Sequence, residues 1–392
     1  MGGRFVLMVA GEASADLHGS NLVKAMKRMD PDIIFWGIGG DRMRQAGVRL
    51  VFTSSEIAVV GLTEVLKRLS NIFRASIRLK SILENHPPDL LILIDYPEFN
   101  LHIAKTARRH GVPVLYYISP QVWAWRRWRV KKISRRVDKM SVILPFEEAF
   151  YRKRGVEVSY VGHPILDACS AEVDRQETRA RLGIQADHLL IGIVPGSRKE
   201  EIKQLLPVMI QSARMLAERD NHMLFLLPLA PTLERSFVQS FIDRDMSDKI
   251  RVVNEDVYHV LSLCRGAMVT SGTATLEAAL AGVPMVIVYR VSSLSYWVGR
   301  MLIKVPYIGL VNLVAGQRVV PELIQADAKP ERLTAELVSI LKDGKVRTRT
   351  EEGLKQVRET LGRGGASIRT AKIALQMMEE GPRFPRGRLV GQ

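Results

Sequence analysis

"FVLMVAGEASADLHG", residues 5–19, is the stretch whose reading decides the fold. With Arg4 before it and "ASA" inside it, the run imitates a secretion signal. Its apolar part, Phe5 to Ala10, is shorter than the roughly 7–15 residues of a signal's apolar region, and Glu12 places a charge just beyond it. The same residues make sense as a buried first strand, turned sharply at Gly11 into an amphipathic helix, which is the opening of a βαβ unit.

The rhythm continues outward from there. Strands are expected at Phe5 to Ala10, Ile33 to Trp36, Leu90 to Ile94, Val114 to Ile118, Lys139 to Ile143 and Glu157 to Tyr160, with helices near 17–29, 62–85, 100–110 and 146–154. After the polar stretch "DACSAEVDRQETRARLGIQADH" it restarts, with strands at Leu189 to Val194, Met223 to Leu227, Ile250 to Val253, Gly266 to Thr270 and Met285 to Val288. A chain of 392 residues exceeds one ordinary core, so two α/β domains are expected, 1–168 and 187–345. Two doubly wound sheets in tandem leave a cleft, and ligands of such sheets sit at strand carboxyl ends. Helical patterns over about 350–380 are free to pack back on the first domain, and the basic tail 381–392 reads as disordered.

The formal charge of +16 favours an anionic partner. Residues 67–154 hold 19 Lys and Arg against 7 Asp and Glu, which places that partner on the first half. Cys169 and Cys264 stand apart with no metal-ligand spacing, arguing for a reducing, cytoplasmic compartment. No apolar stretch reaches the roughly 18–20 residues of a spanning helix, so any membrane contact is peripheral.

Four loops carry the chemistry. Glu12 follows Gly11 at a strand end, where it repels phosphate yet accepts from a sugar hydroxyl; Ser14 and Asp16 are candidate helix caps. "LLILIDYPEFN" (90–100) brings Asp95 and Glu98 to another strand end, either able to take a proton from a hydroxyl or merely to tie down the loop. In "VPGSRKEEI" (194–202), Gly196, Ser197 and Arg198 meet a helix start, where free amides and a guanidinium suit a diphosphate. In "TSGTATLEAALAGVPMV" (270–286), Ser271, Gly272 and Thr273 repeat that device, and Glu277 lies one turn on, suited to a ribose's two hydroxyls. "GIGGDRMRQAG" lacks the dinucleotide glycine spacing, no Gly-Lys-Ser/Thr follows either loop, and no G-x-S-x-G elbow occurs. "DRD" (243–245) has a metal-transferase spacing but lies in a polar stretch away from any strand end, so no metal ligand set is assigned.

Two basic and apolar segments remain. "SPQVWAWRRWRVKK" (119–132) groups Trp123, Trp125 and Trp128 with Arg126, Arg127 and Arg129; "LTEVLKRLSNIFRASIRLK" (62–80) sets Leu69 and Phe73 beside Arg74 at helical spacing. Both suit an anionic lipid surface, though the same spacing also buries against a sheet. Arg and Trp bind single-stranded nucleic acid too, yet no RNA-binding signature is present and the second half's phosphate loops would go unused.

In order along nearly the whole chain, "MVAGEASADLHG", "GIGGDRMRQAG", "VVGLTEVL", "IDYPEFN", "SPQVWAWRRWRV", "VPGSR", "SGTATLEAAL" and "VNLVAGQRVVPELI" closely resemble the lipid-A-disaccharide synthase family. The resemblance implies a GT-B fold: two Rossmann-like parallel-sheet domains facing across a cleft. It also implies an inverting transfer from UDP-2,3-diacylglucosamine to 2,3-diacylglucosamine 1-phosphate (lipid X), giving the β(1→6) disaccharide 1-phosphate and UDP. By that likeness the family's base position falls on Glu98, with Asp95 the other candidate and Glu12 at the family's first glycine loop. On that alignment Glu98→Gln should cost more turnover than Asp95→Asn. Arg198 matches the "PGSR" arginine, and Asn312 and Gln317 lie in the motif associated with the donor. No cofactor or metal, an anionic membrane surface as partner, no nucleic acid, and a place on the cytoplasmic side of a Gram-negative inner membrane are the further implications, with a homo-oligomer allowed. A UDP-N-acetylglucosamine 2-epimerase of the same fold is the rival.

Overall fold

The computed structural model describes residues 3–57, 65–125, 127–169, 173–291 and 305–381. It divides into two compact units, Met1–Asp167 with Arg363–Gln392, and Ala168–Gly362. The first unit holds seven strands: β1 (Phe5–Ala10), β2 (Ile34–Gly39), β3 (Val48–Thr53), β4 (Leu90–Ile94), β5 (Val114–Tyr117), β6 (Lys139–Val142) and β7 (Val158–Tyr160). They pair in parallel in the order β3-β2-β1-β4-β5-β6-β7. Val6, Met8 and Ala10 of β1 pack beneath the helices Ala13–Met29 and Ala366–Glu380, while Leu7 and Val9 face Val65–Asn85 and Pro97–Arg109. Burial on both faces is why β1 is an unbroken apolar run and not an alternating one.

The second unit repeats the plan with β8 (Leu189–Val194), β9 (Met223–Pro228), β10 (Ile250–Val253), β11 (Gly266–Thr270), β12 (Met285–Tyr289) and β13 (Glu322–Ile324). Their order is β10-β9-β8-β11-β12-β13, again all parallel. In each sheet the winding reverses once, between β1 and β4 and between β8 and β11. The loops leaving those strand pairs diverge to opposite faces and open a crevice at their carboxyl ends. Among the described residues no helix is long and apolar enough to cross a membrane.

The units meet the sequence boundaries imperfectly. The stretch 167–188 is not a bare linker: the helix Arg175–Arg181 forms there, capped by Asp174 accepting from the amides of Gln176 and Glu177 at 2.9 Å. The helical pattern beyond 344 is two helices, broken by Gly362 and Gly365 at φ of 76° and 96°. Gly344–Leu361 stays with the second unit, and only Ala366–Glu380 returns to the first, onto Ala13–Met29. The return is fastened where it begins. Asp167 accepts from Gly365 N, and the Arg369 guanidinium donates to the carbonyls of Val161, Arg363 and Gly364.

Candidate active site

The crevice of the first unit is lined by the loops after β1 and β4. Glu12 ends the β1 loop with extended backbone and makes no cap bond to its own helix, leaving its carboxylate exposed. Asp16 does not cap that helix either. Its buried carboxylate accepts from Gly40 N (2.7 Å), Met43 N (3.0 Å) and Arg42 N (3.1 Å), holding the next glycine loop in place. After β4 the backbone does something costly: Asp95 and Tyr96 are both left-handed, at φ of 50° and 45°. Such residues cost on the order of 1–3 kcal/mol each and persist only where neighbours enforce them. Here Asn100 Nδ2 donates to the carbonyls of Ile94 (3.2 Å) and Asp95 (2.6 Å), and the Tyr116 hydroxyl donates to the Asp95 carbonyl. Pro97 then starts the helix with its φ already set. Gly11 is required because a Cβ there would lie 2.6 Å from the Tyr96 ring.

This geometry leaves Asp95 mostly buried with Glu12 nearby, and burial together with that negative charge pushes its carboxyl up to about 6. A carboxyl titrating near neutrality can both accept and hold a proton. His18 is buried, and burial lowers it to about 4; among the described residues its Nδ1 has no partner. His163, after β7, lies close enough that His18 adds to the burial that lowers it to about 3.

Glu98 is placed differently. It stands in the first helical turn with a side chain 72% exposed, in an ion pair with Arg129, whose own side chain is only 7% exposed. Arg129 sits 5.9 Å from the Trp125 ring and 5.7 Å from the Trp128 ring, close enough for cation–π attraction. The tryptophan segment therefore braces a guanidinium against Glu98, and Arg129 is not free for lipid phosphate. Trp123 is also corrected: it is buried, packs edge-on against Phe146 at 4.8 Å, and donates from Nε1 to Glu147 at 2.9 Å. Glu147 further accepts from Leu144 N (3.0 Å) and Ile143 N (3.3 Å), yet complete burial still pushes it up to about 7. Trp125 and Trp128 remain exposed, as do Phe73 and Arg74. Arg126 and the side chains of Arg127 and Leu69 lie outside the described residues.

In the second unit the loops Gly196–Arg198 and Ser271–Thr273 leave the paired strands β8 and β11, so both lie at that sheet's crevice. The amides of Ser197 and Arg198 donate to Glu201 at 3.0 and 3.2 Å, and Arg198 also pairs with Glu201 through its guanidinium at 3.2 Å. The anion at this helix start is thus the protein's own carboxylate, a residue the sequence reading passed over although a glutamate three positions into a helix is a capping signal. Glu277 is largely buried next to Asp256, and burial with that neighbour pushes it up to about 7. Ser271 Oγ donates to Ile308 O at 2.9 Å, leaving Gly272 and the exposed Thr273 to face a ligand.

Asn312 is not a ligand group. It is fully buried, its amide donates to Val320 O and Glu322, and its carbonyl accepts from Val319 N and Val320 N, which fills its capacity. Its role is to shape the loop that Glu322 also ties through the amides of Ile308 and Gly309. Gln317 turns toward Gln356 on the helix Gly344–Leu361 and lines a small pocket with Arg318 and Arg349. Asp243 and Asp245 both bind Arg214, at 2.8 and 3.0 Å, a surface ion cluster.

The comparisons with known proteins agree with this arrangement. A family model described as lipid-A-disaccharide synthetase matches residues 6–377. The lipid-A-disaccharide synthase of Geobacter metallireducens is 52% identical over 95% of this chain and 97% of its own. Among solved structures, the calicheamicin glycosyltransferase CalG4 superposes with a TM-score of 0.61 at 14% identity, covering 100% of both chains. UDP-GlcNAc 2-epimerase from Neisseria meningitidis, bound to UDP-GlcNAc, gives a TM-score of 0.61 at 12% identity over 96% of this chain and 100% of that one. At such identities the structures speak for the fold alone, which is that of GT-B glycosyltransferases and epimerases.

Proposed function

We propose, since the chain belongs to the lipid-A-disaccharide synthetase family and is a glycosyltransferase of lipid A biosynthesis, that it joins UDP-2,3-diacylglucosamine to 2,3-diacylglucosamine 1-phosphate with inversion. The acceptor's 6-hydroxyl attacks the donor's anomeric carbon, the bond to the diphosphate breaks, and UDP leaves. Asp95 takes the hydroxyl proton. The observation that carries this is its mostly buried carboxyl, raised to about 6 beside Glu12 at the β1/β4 crevice. Glu98 is the weaker base because its charge is already committed to Arg129; the pair positions the loop. In the second unit, the exposed Arg198 guanidinium, exchanging its surface pair with Glu201 for the ligand, and the amides of residues 272–273 balance the leaving diphosphate, and Glu277 accepts from the ribose hydroxyls. No cation is needed in this scheme. The cationic first half and the exposed Phe73, Trp125 and Trp128 support action at the anionic cytoplasmic face of an inner membrane.

Incubating the purified protein with both diacylated substrates should yield the disaccharide 1-phosphate and UDP by mass spectrometry, with or without chelator. Loss of product on chelation would reject the metal-free scheme. Conversion of UDP-GlcNAc alone to its 2-epimer, with no disaccharide from the lipids, would reject the transferase reading in favour of the epimerase.

A further inference from the structure

The second sheet ends in β13, and one side chain of that strand acts beyond its neighbours. Glu322 stands in register with Ile287 of β12, the strand that separates it from β11 and the loop Ser271–Thr273. Its carboxylate spans that gap through the backbone entering the helix Leu310–Ala315. Oε2 accepts from Ile308 N at 2.9 Å, and Oε1 accepts from Gly309 N at 3.0 Å and from Asn312 Nδ2 at 2.9 Å. Gly309 permits the approach: a Cβ there would stand 2.3 Å from Ile287 Cδ1 and 3.1 Å from Glu322 Oε1. Ile308 is then held from two directions, because its N–H faces Glu322 while its carbonyl accepts from Ser271 Oγ at 2.9 Å. It bridges a β13 carboxylate to the first residue of the loop after β11. That loop is open on its other side. A Cβ on Gly272 would meet nothing within 4 Å, and among the described residues the Gly272 and Thr273 amides donate to no protein acceptor.

We infer that Glu322 is a positioning residue for the donor diphosphate: through Ile308 it fixes Ser271, and through Ser271 the two amides that receive the phosphate oxygens. Amides held in place before the ligand arrives stabilise developing charge without reorganising, which is where such donors gain most. A carboxylate suits the task because its two oxygens take several donors at once through charge-assisted bonds. A side chain that only fastened the helix Leu310–Ala315 would need Gly309 and Asn312 alone; the bond to Ile308 N is the one that leads to the phosphate loop. The inference rests on the assignment of UDP to the second unit and deepens it. Ser271, whose hydroxyl the sequence offers to the ligand, becomes the far end of the tether.

The test is a double-mutant cycle on the full chain, read by calorimetric titration of UDP alongside the melting temperature of each sample. Glu322→Gln keeps the shape, but an amide cannot accept from both Ile308 N and Gly309 N. UDP should therefore bind about tenfold more weakly, and KM for the UDP-sugar should rise to match. KM for the acceptor should stay within about twofold, because the proton-transfer loop belongs to the first unit. Ser271→Ala leaves every Glu322 bond in place and should weaken UDP about fivefold. The two together should be no weaker than Glu322→Gln alone, whereas independent contributions would multiply to about fiftyfold. Where Glu322→Gln lowers the folded fraction, Glu322→Asp, which keeps the charge but draws it back from Ile308, enters the same cycle. Multiplying effects overturn the proposal, as does UDP affinity unchanged in either single variant while the melting temperature falls, the mark of a merely structural role. No UDP binding by the unmodified protein overturns the donor assignment along with it.

Discussion

Asp95 combines a left-handed backbone with a carboxyl withdrawn from water, and both features bear on rate. As the proposed base it must be ionised, so kcat/KM should fall as pH drops through about 6. Asp95→Asn should abolish that limb and cost about 100-fold or more in turnover. Glu98→Gln, which loses an ion pair but no proton acceptor, should cost less and leave the limb in place. A larger loss for Glu98→Gln, measured in the same steady-state assay, would return the role of base to Glu98. The sequence allowed both residues, since they flank one proline at one strand end. What separates them is Arg129, 31 positions away, and Glu12 on the neighbouring strand's loop; neither relation has a local signal. Asn312 misled for the same reason, because its four bonds are to backbone and to Glu322.

Among the elements, the tryptophan segment shows how composition can point outward while packing points inward. Trp123 and Glu147 anchor it as a buried pair. Trp123→Phe should therefore lower stability by about 1–3 kcal/mol, the penalty of an unmet buried partner, and leave vesicle flotation unchanged; lost flotation at unchanged melting temperature would make Trp123 a lipid contact. Glu147 has a folded-state value of about 7, above its ordinary 4.5. Folding thus favours its protonated form, and its contribution to stability is greatest below about pH 4.5 and is lost as pH rises through about 7. Glu147→Gln should flatten the fall in melting temperature between about pH 5 and 8, followed by circular dichroism; an unaltered slope would contradict the assignment. The central strands were legible as continuous apolar runs because both faces are covered. β3 was not, since an edge strand carrying Arg49 and half open to solvent lacks that run, and β13, with three residues, is too short to show a period.

For the whole molecule, the fold class was legible because two successive sets of strand and helix signals can close only as parallel sheets. The first crossover, at 167/168, was legible to within a residue from the polar stretch that follows it; the second, at 362/363, was not located, because it depends on the clasp of Asp167 and Arg369 about the glycines at 362–365. The proposed function assigns uridine diphosphate to the second unit and proton transfer to the first, within one intact chain. Calorimetric titration of UDP into the full-length Asp95→Asn protein, paired with its turnover, tests that division most directly. The expected result is a UDP Kd within about twofold of the unmodified protein and turnover reduced about 100-fold or more. Unchanged turnover, or UDP affinity lost along with it, would contradict the account.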